Sequence, residues 1–365
     1  MKIGVLGGGQ LGRMLALAGY PLGLQFRFLD TNAEAPAGHL GELIVGNWND
    51  AATVESFGRG LDVVTYEFEN VPCEAVKALA KACAVFPPAE ALAMAQDRLE
   101  EKSLFSRLNI PTARFAPVDS ADSLEKAIAE VGLPAVLKMR RLGYDGKGQF
   151  VIRHEEDVPK AWQQIGASPS IVEAFVPFDR ELSIIGVRSR EGVSAFYPLI
   201  ENVHRDGILR KSTAPAPDVS PHLQKTAETY AAAIMKGASY VGVLTIEFFE
   251  KDGKLLANEM APRVHNSGHW TIEGAETSQF ENHLRAIAGL PLGSTAAVGH
   301  SLMFNLIGSL PPLEAIVAIP GAHPHFYGKA PRPGRKVGHV TLHAAAPSQL
   351  AEPAERLTAL LASAG

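Results

Sequence analysis

The chain has 365 residues, 46% hydrophobic and 20% charged, and its 34 Lys and Arg against 39 Asp and Glu leave a net charge of −5. This composition supports packed cores and excludes wholesale disorder, and the acidic balance argues against a protein that grips nucleic-acid backbone through a general basic surplus. Two cysteines, Cys73 and Cys83, are too few for a disulfide framework or a zinc cage, and no run approaches the roughly 18 apolar residues of a membrane span, so a reducing cytoplasm is the expected setting.

In chain order, strands are predicted at Lys2–Leu6, Gln25–Leu29, Glu42–Val45, Asp62–Tyr66 and Ala84–Phe86. Helices at Gln10–Ala18, Asp50–Phe57 and Cys73–Ala82 alternate with them, which implies βαβ units and a parallel sheet. One continuous helix is expected over Ala89–Leu108, running through Asp97-Arg98-Leu99. A smaller unit opens at Ile110-Pro111, with helices at Ser120–Val131 and near Glu155–Ile165 and strands at Ala135–Lys138, Gln149–Ile152 and Ser170–Ala174. A glycine-rich loop at Leu142–Gly148 joins the first two of those strands.

The third unit begins β-rich, with strands at Glu181–Arg188, Val193–Glu201, Val243–Glu250 and Lys254–Met260 and one long amphipathic helix at Pro221–Ala238. A strand near Ser301–Leu306, a basic loop at Tyr327–Arg335, a strand at Val337–His343 and a helix at Pro347–Ala362 complete it. The expected units are 1–100, 101–178 and 179–365, with no internal repeat.

Gly7-Gly8-Gly9-Gln10-Leu11-Gly12 follows a strand, opens a helix and matches the dinucleotide fingerprint, with Asp30 placed for a ribose contact. The same glycines also serve a plain tight turn, or a helix N-terminus that binds another phosphate. A second nucleotide site is spread over four segments. Lys138 ends an apolar strand and could reach phosphates as a point charge. The loop Gly143-Tyr144-Asp145-Gly146-Lys147-Gly148-Gln149 can lay N–H groups against phosphate oxygens and close as a lid. The strand end Glu173-Ala174-Phe175-Val176, followed by Glu181, suits an adenine pocket and ribose hydroxyls.

The fourth segment is the hairpin carrying Glu247 and Asn258-Glu259, whose carboxylates are suited to Mg²⁺. A two-residue turn at Asp252-Gly253 would put Glu247 opposite Asn258, and a loop one residue longer would put it opposite Glu259. Arg263, His265, Asn266 and Ser267 follow in a polar run suited to an anion. Lys329, Arg332, Arg335 and Lys336 crowd a Pro/Gly-rich loop that reads either as a phosphate grip or as a solvated surface. The Arg140-Arg141 pair reads as solvated.

Together, GGGQLGRM, TYEFENVP, QDRLEEK, GYDGKGQ, NVHRDGILR, NEMAPRVHNSGHWT and YGKAPRPGRKVGHV resemble the ATP-grasp superfamily, and within it the N5-carboxyaminoimidazole ribonucleotide synthetases of purine biosynthesis. The resemblance runs nearly end to end. It implies an ATP-grasp fold of α/β class: an N-terminal doubly wound parallel-sheet domain that binds no NAD, a small α+β lid and a C-terminal β-rich α+β domain. It also implies ATP-dependent carboxylation of 5-aminoimidazole ribonucleotide by bicarbonate through carboxyphosphate. ATP and Mg²⁺ are the implied cofactors, a homodimer the implied assembly, and no nucleic acid or membrane a partner.

By motif, Arg98, Lys138, Gly143–Gln149, Glu173–Val176, Glu181, His204 and Asn258-Glu259 would bind ATP, and Glu247 and Glu259 would hold Mg²⁺. Arg263, His265, Asn266 and Ser267 with Lys147 would hold bicarbonate and carboxyphosphate, while Tyr144 and Asp145 would meet the aminoimidazole. Lys329, Arg332 and Arg335, helped by Gly9, Gln10 and Leu11, would grip the ribonucleotide phosphate, with Glu67 lining the same pocket. Many relatives carry a double glycine before Tyr-Asp-Gly, whereas Leu142 stands here. A formate-using glycinamide ribonucleotide transformylase is the alternative within the superfamily, and an NAD(P)-dependent oxidoreductase the distant one.

Overall fold

The computed structural model describes residues 1–143, 148–166 and 168–364. Tyr144, Asp145, Gly146 and Lys147 therefore lie outside the described residues. Strands β1 (Lys2–Leu6), β2 (Gln25–Asp30), β3 (Glu42–Val45), β4 (Val63–Tyr66) and β5 (Ala84–Val85) form a parallel sheet in the order β3-β2-β1-β4-β5. Helices α1 (Gln10–Gly19), α2 (Ala51–Gly58) and α3 (Cys73–Leu79) alternate with these strands. The central strands read as unbroken apolar runs because such a sheet is covered on both faces. Chain direction across the sheet switches between β1 and β4, and the carboxyl ends at such a point form a crevice suited to ligands. Gly7–Gly9 and Glu67 both lie there.

The helix expected over Ala89–Leu108 is two helices, α4 (Ala89–Gln96) and α5 (Arg98–Arg107). Asp97 breaks it in an extended conformation, and its carboxylate caps α5 by accepting from Leu99 N at 3.0 Å. Arg140 holds that carboxylate with a two-pronged fork at 2.9 and 2.8 Å, and Arg141 adds a contact at 3.2 Å. Arg140 is thus engaged on Asp97, which corrects its solvated reading, while Arg141 reaches Asp97 from a side chain that stays 57% exposed.

The small unit is an antiparallel sheet of β6 (Phe115–Val118), β7 (Ala135–Met139), β8 (Gln149–Ile152) and β9 (Ser170–Ala174), in the order β6-β9-β7-β8. Helices α6 (Ala121–Val131) and α7 (Val158–Gln164) pack on it, and α6 buries Leu124, Ala127, Ile128 and Val131 at helical spacing.

The large antiparallel sheet has nine strands: β10 (Arg180–Arg188), β11 (Ser194–Phe196), β12 (Ile200–Arg205), β13 (Ile208–Ala214), β14 (Gly242–Lys251), β15 (Lys254–Ala261), β16 (His300–Ile307), β17 (Ala322–Phe326) and β18 (Lys336–Ala344). Its order is β15-β14-β10-β12-β13-β16-β18-β17, with β11 paired to β10. Helices α8 (Pro221–Gly237), α9 (Thr271–Gly274), α10 (Gln279–Ala288), α11 (Leu313–Val317) and α12 (Ala351–Ala364) surround it. The strand expected over Val193–Glu201 is two, β11 and the start of β12, because Pro198 between them has no N–H to give a ladder.

Helices α1 and α10 join the parallel and large sheets in one apolar cluster that includes Leu15, Val5, Phe280, Leu284 and Ile287. His283 pins the two sheets: its Nδ1 accepts from Val243 N at 3.1 Å, so its Nε2–H donates to Thr65 Oγ1 at 2.9 Å. Among the described residues, no helix is long and apolar enough to cross a membrane.

Candidate active site

The carboxylate hairpin is built by a turn and a bulge together. Lys251 pairs with Lys254 across a two-residue turn in which Asp252 and Gly253 have φ of 50° and 70°. Continued evenly, that register would bring Glu247 to Asn258. A β-bulge past Phe248–Ala257 inserts Asn258 and brings Glu247 opposite Glu259 instead. Residues directly opposite in a sheet share a face, so the carboxylates stand side by side. Of the two turn lengths left open by sequence the shorter is present, and the shift that faces the carboxylates comes from the bulge.

Each carboxylate has a nitrogen partner. Arg98 Nη1 meets Glu259 Oε2 at 2.8 Å and His265 Nε2 meets Glu247 Oε1 at 3.2 Å. Burial and the facing Glu259 push Glu247 above the usual carboxylate range. Burial opposes ionisation of Glu259 too, but the charge and hydrogen bond of Arg98, with the charge of Lys138, outweigh it and hold the group low. The buried Asn258 Oδ1 beside them has no hydrogen-bond partner among the described residues. Two carboxylates and an amide oxygen fit Mg²⁺, which commonly takes one or two protein carboxylates and completes its shell with phosphates and water. Among the described residues, no cluster of three or more His, Cys, Asp or Glu forms a metal cage.

Helix α5 supplies the charged wall. Arg98, Glu101 and Lys102 share one face at i, i+3 and i+4, and both Glu101 and Lys102 are buried. Lys102 Nζ lies 3.1 Å from Glu173 Oε2, 2.9 Å from Thr112 Oγ1 and 3.2 Å from Ala257 O. Lys138 Nζ approaches the other Glu173 oxygen at 3.2 Å. Burial works against the Glu173 charge, yet Lys102 and Lys138 hold it at about 2. Glu101 accepts from Met260 N at 2.6 Å, and burial followed by the Glu259 charge raises it to about 8. Glu101 and Lys102 are absent from the sequence-predicted site, although the spacing from Arg98 in QDRLEEK places them on its face.

Glu181 and His204 face each other across β10 and β12, with Oε2 and Nδ1 2.9 Å apart. At the end of β9, Ala174 N donates to Arg114 O at 2.8 Å and Phe175 N to Pro134 O at 3.0 Å, while Phe175 and Val176 continue beyond the strand. Gly143, Gly148 and Gln149 flank the undescribed part of the loop, and Arg98 Nη2 reaches Gly143 O at 3.5 Å. Leu142 takes φ of 64°, in the left-handed region, and is 67% exposed.

The segment after β15 folds back over the carboxylates. Arg263 Nε donates to Glu69 Oε2 at 2.5 Å. His265 Nδ1 accepts from Ser267 N at 3.3 Å, so its Nε2 carries the proton toward Glu247. Burial, then the Arg263 charge, push His265 down to about 3 and keep it neutral. Asn266 and Asn305 exchange amide hydrogen bonds at 3.0 and 2.6 Å. Ser267 is fully buried, its hydroxyl 2.9 Å from both Ser183 Oγ and His265 Nδ1. It therefore sits behind His265 and braces it, where sequence placed it against the anion.

The N-terminal glycine loop is occupied by the protein's own acids. Glu67 accepts from Gly9 N and, at 2.6 Å, from Gly12 N, while Asp30 Oδ2 accepts from Gly8 N at 2.7 Å. A Cβ on Gly7 would come within 2.4 Å of the Glu67 side chain, so glycine is required for this approach. Leu11 turns its side chain into the core. Gln10 accepts from Lys329 Nζ, which brings the basic loop onto the same crevice. Burial pulls Lys329 down to about 8 against the opposing pull of Glu67. Arg335 is half-buried and Arg332 exposed on that loop.

The class follows from this architecture: a site clasped between two antiparallel sheets is the ATP-grasp arrangement, and residues 103–280 match the ATP-grasp domain family. Residues 1–96 match the ribonucleotide synthetase preATP-grasp domain and 301–353 the phosphoribosylaminoimidazole carboxylase C-terminal domain. The chain belongs to the N5-carboxyaminoimidazole ribonucleotide synthase family. It is 56% identical over 346 residues to the synthase of Pseudomonas aeruginosa, covering 94% of this chain and 95% of that one. The Thermus thermophilus synthetase structure matches with TM-score 0.95 and 58% identity, over 98% of each chain. An Aspergillus clavatus synthase solved with ADP and 5-aminoimidazole ribonucleotide matches with TM-score 0.90 and 31% identity, again over 98% of each.

Proposed function

We propose that this chain joins bicarbonate to the amino group of 5-aminoimidazole ribonucleotide, giving N5-carboxyaminoimidazole ribonucleotide while ATP becomes ADP and phosphate. The observation that carries the reading is the facing pair Glu247 and Glu259, set between the Lys138–Glu173–Lys102 bridge and the Arg263–Ser267 segment. Phosphoryl transfer needs little besides position and charge neutralisation, and these groups supply both.

Lys138 and Arg98 serve the ATP phosphates, with Asn258 beside Glu259 on the same side, the Gly143–Gln149 loop covers them, Glu173 holds Lys138 in place, and Ala174–Val176, Glu181 and His204 serve the nucleoside end. Mg²⁺ held by Glu247 and Glu259 would neutralise charge on the transferred phosphoryl group. A bicarbonate oxygen attacks the γ-phosphorus, the bond to ADP breaks, and Arg263 with His265 and Asn266 holds the resulting carboxyphosphate beside Lys147. The ribonucleotide amine then attacks the carboxyl carbon directly, or the CO₂ released from it. Phosphate leaves, and the amine proton passes to Asp145, with Tyr144 beside the ring. Lys329, Arg332 and Arg335 grip the 5′-phosphate next to Gly9, Gln10, Leu11 and Glu67.

The working units are 1–100, 101–178 and 179–365, in a cytoplasmic homodimer. ADP release measured across a substrate panel tests the reading. Release that requires bicarbonate and 5-aminoimidazole ribonucleotide together supports it. Release that follows formate and glycinamide ribonucleotide, and ignores bicarbonate, overturns it.

A further inference from the structure

Beneath the basic loop lies a stack of imidazoles that the chemistry above does not use. The loop connects β17 to β18, and their register sets His325 opposite His339. These rings stack with centroids 4.5 Å apart and planes 7° apart. His269 packs on His339 as well, with centroids 4.7 Å apart and planes tilted by 39°, so His339 is the ring that contacts both others. Both His269 and His339 are fully buried.

The stack is tied at its middle ring and at one end. Tyr327, itself buried, places its hydroxyl 2.8 Å from His339 Nδ1. His325 Nε2 meets Glu273 Oε1, on α9, at 2.6 Å. Tyr327 makes the last backbone rung before the loop opens, donating its N–H to Val337 O at 3.0 Å. Two residues on, Lys329 holds its ammonium 6.0 Å from the Tyr327 ring centroid. His269 closes the segment that begins at Arg263. The rings thus join the root of the basic loop to the segment that faces the carboxylates. A neutral state suits this role, because adjacent imidazolium rings would repel, and burial pushes both His269 and His339 well below their ordinary value.

We propose that His339 is a positioning residue for the ribonucleotide: through Tyr327 it fixes the root of the basic loop, and through His269 it locks that loop to the Arg263–Ser267 segment. The inference rests on the reading of Lys329 as a phosphate anchor. An anchor away from the reacting atoms contributes uniform binding, so its misplacement raises KM and leaves kcat nearly alone.

The test uses His339→Leu, His339→Asn and Tyr327→Phe in the full chain, with KM for each substrate and the thermal midpoint measured. His339→Leu and Tyr327→Phe are expected to raise the ribonucleotide KM about tenfold with the ATP KM within twofold. His339→Asn, which keeps a hydrogen-bonding group near the Nδ1 position, recovers most of the loss. Equal rises in both KM values, an unchanged ribonucleotide KM, or no recovery in His339→Asn overturns the inference. If His339→Leu does not fold, Tyr327→Phe, which removes a single oxygen, carries the same KM test. Lys329→Ala separates the two layers: an unchanged ribonucleotide KM there overturns the anchor reading itself. A raised KM in Lys329→Ala, with none in Tyr327→Phe or His339→Leu, overturns this inference alone.

Discussion

The Glu67 carboxylate accepts from Gly12 N at 2.6 Å and so occupies the N-terminus of α1, where a dinucleotide fold would receive pyrophosphate. With Asp30 on Gly8 N, the fingerprint loop is satisfied from within. The expected outcome is that NADH titration gives no saturable binding while Mg·ATP binds. Saturable NADH binding contradicts this arrangement.

Glu259 is the carboxylate held ionised beside the raised Glu247. Glu259→Gln keeps the shape and removes the charge, so turnover is expected to fall about a hundredfold or more, the size typical of losing one transition-state charge contact. The far-UV spectrum should be retained. Unchanged turnover at saturating Mg²⁺ removes Glu259 from the proposed Mg²⁺ pair.

Lys102 bridges α5, β9 and the start of the small unit at Thr112, and it is 1% exposed. Lys102→Met leaves Glu173 buried with Lys138 as its remaining ion-pair partner among the described residues, so the cost is expected below the roughly 3–5 kcal/mol of a fully uncompensated buried charge. The melting temperature and ATP affinity are expected to fall together. A stable variant with unaltered ATP KM contradicts the role.

Burial holds Lys329 at about 8 in the free protein. The proposed phosphate grip needs the charged ammonium, and that form is lost as pH rises through this value. Accordingly, kcat/KM for the ribonucleotide, which reports the free enzyme, is expected to fall above about pH 8. In Lys329→Arg the fall should move to higher pH. An identical profile in that variant assigns the titration to another group.

Leu142 sits at φ of 64°, where a side chain costs roughly 1–2 kcal/mol relative to glycine. Leu142→Gly relieves this and is expected to raise the thermal midpoint slightly, the gain reduced by glycine's own backbone entropy. A clear drop would show that the exposed leucine makes a compensating contact.

The parallel sheet was legible because burial on both faces writes strands such as Ile3–Leu6 as unbroken apolar runs. The facing carboxylates were legible as residues but not as a geometry. Their pairing depends on a bulge at Asn258, and nothing in a local pattern distinguishes a bulge from a longer turn. The break at Asp97 was hidden because helix-forming residues continue on both sides, and what favours the break is a cap plus Arg140, 43 positions away. Glu101 and Lys102 look like a solvated helix face until β9 and β15 close over them. Strand β13 escaped notice because its Arg210-Lys211-Ser212-Thr213 stretch carries little apolar signal.

Transfer of bicarbonate oxygen tests the central chemistry most directly. With ¹⁸O-bicarbonate, ATP and 5-aminoimidazole ribonucleotide, attack on the γ-phosphorus followed by loss of phosphate from carboxyphosphate leaves one bicarbonate oxygen in the phosphate. Mass analysis of the released phosphate is predicted to show a single ¹⁸O per turnover. Unlabelled phosphate formed alongside the carbamate would contradict the account.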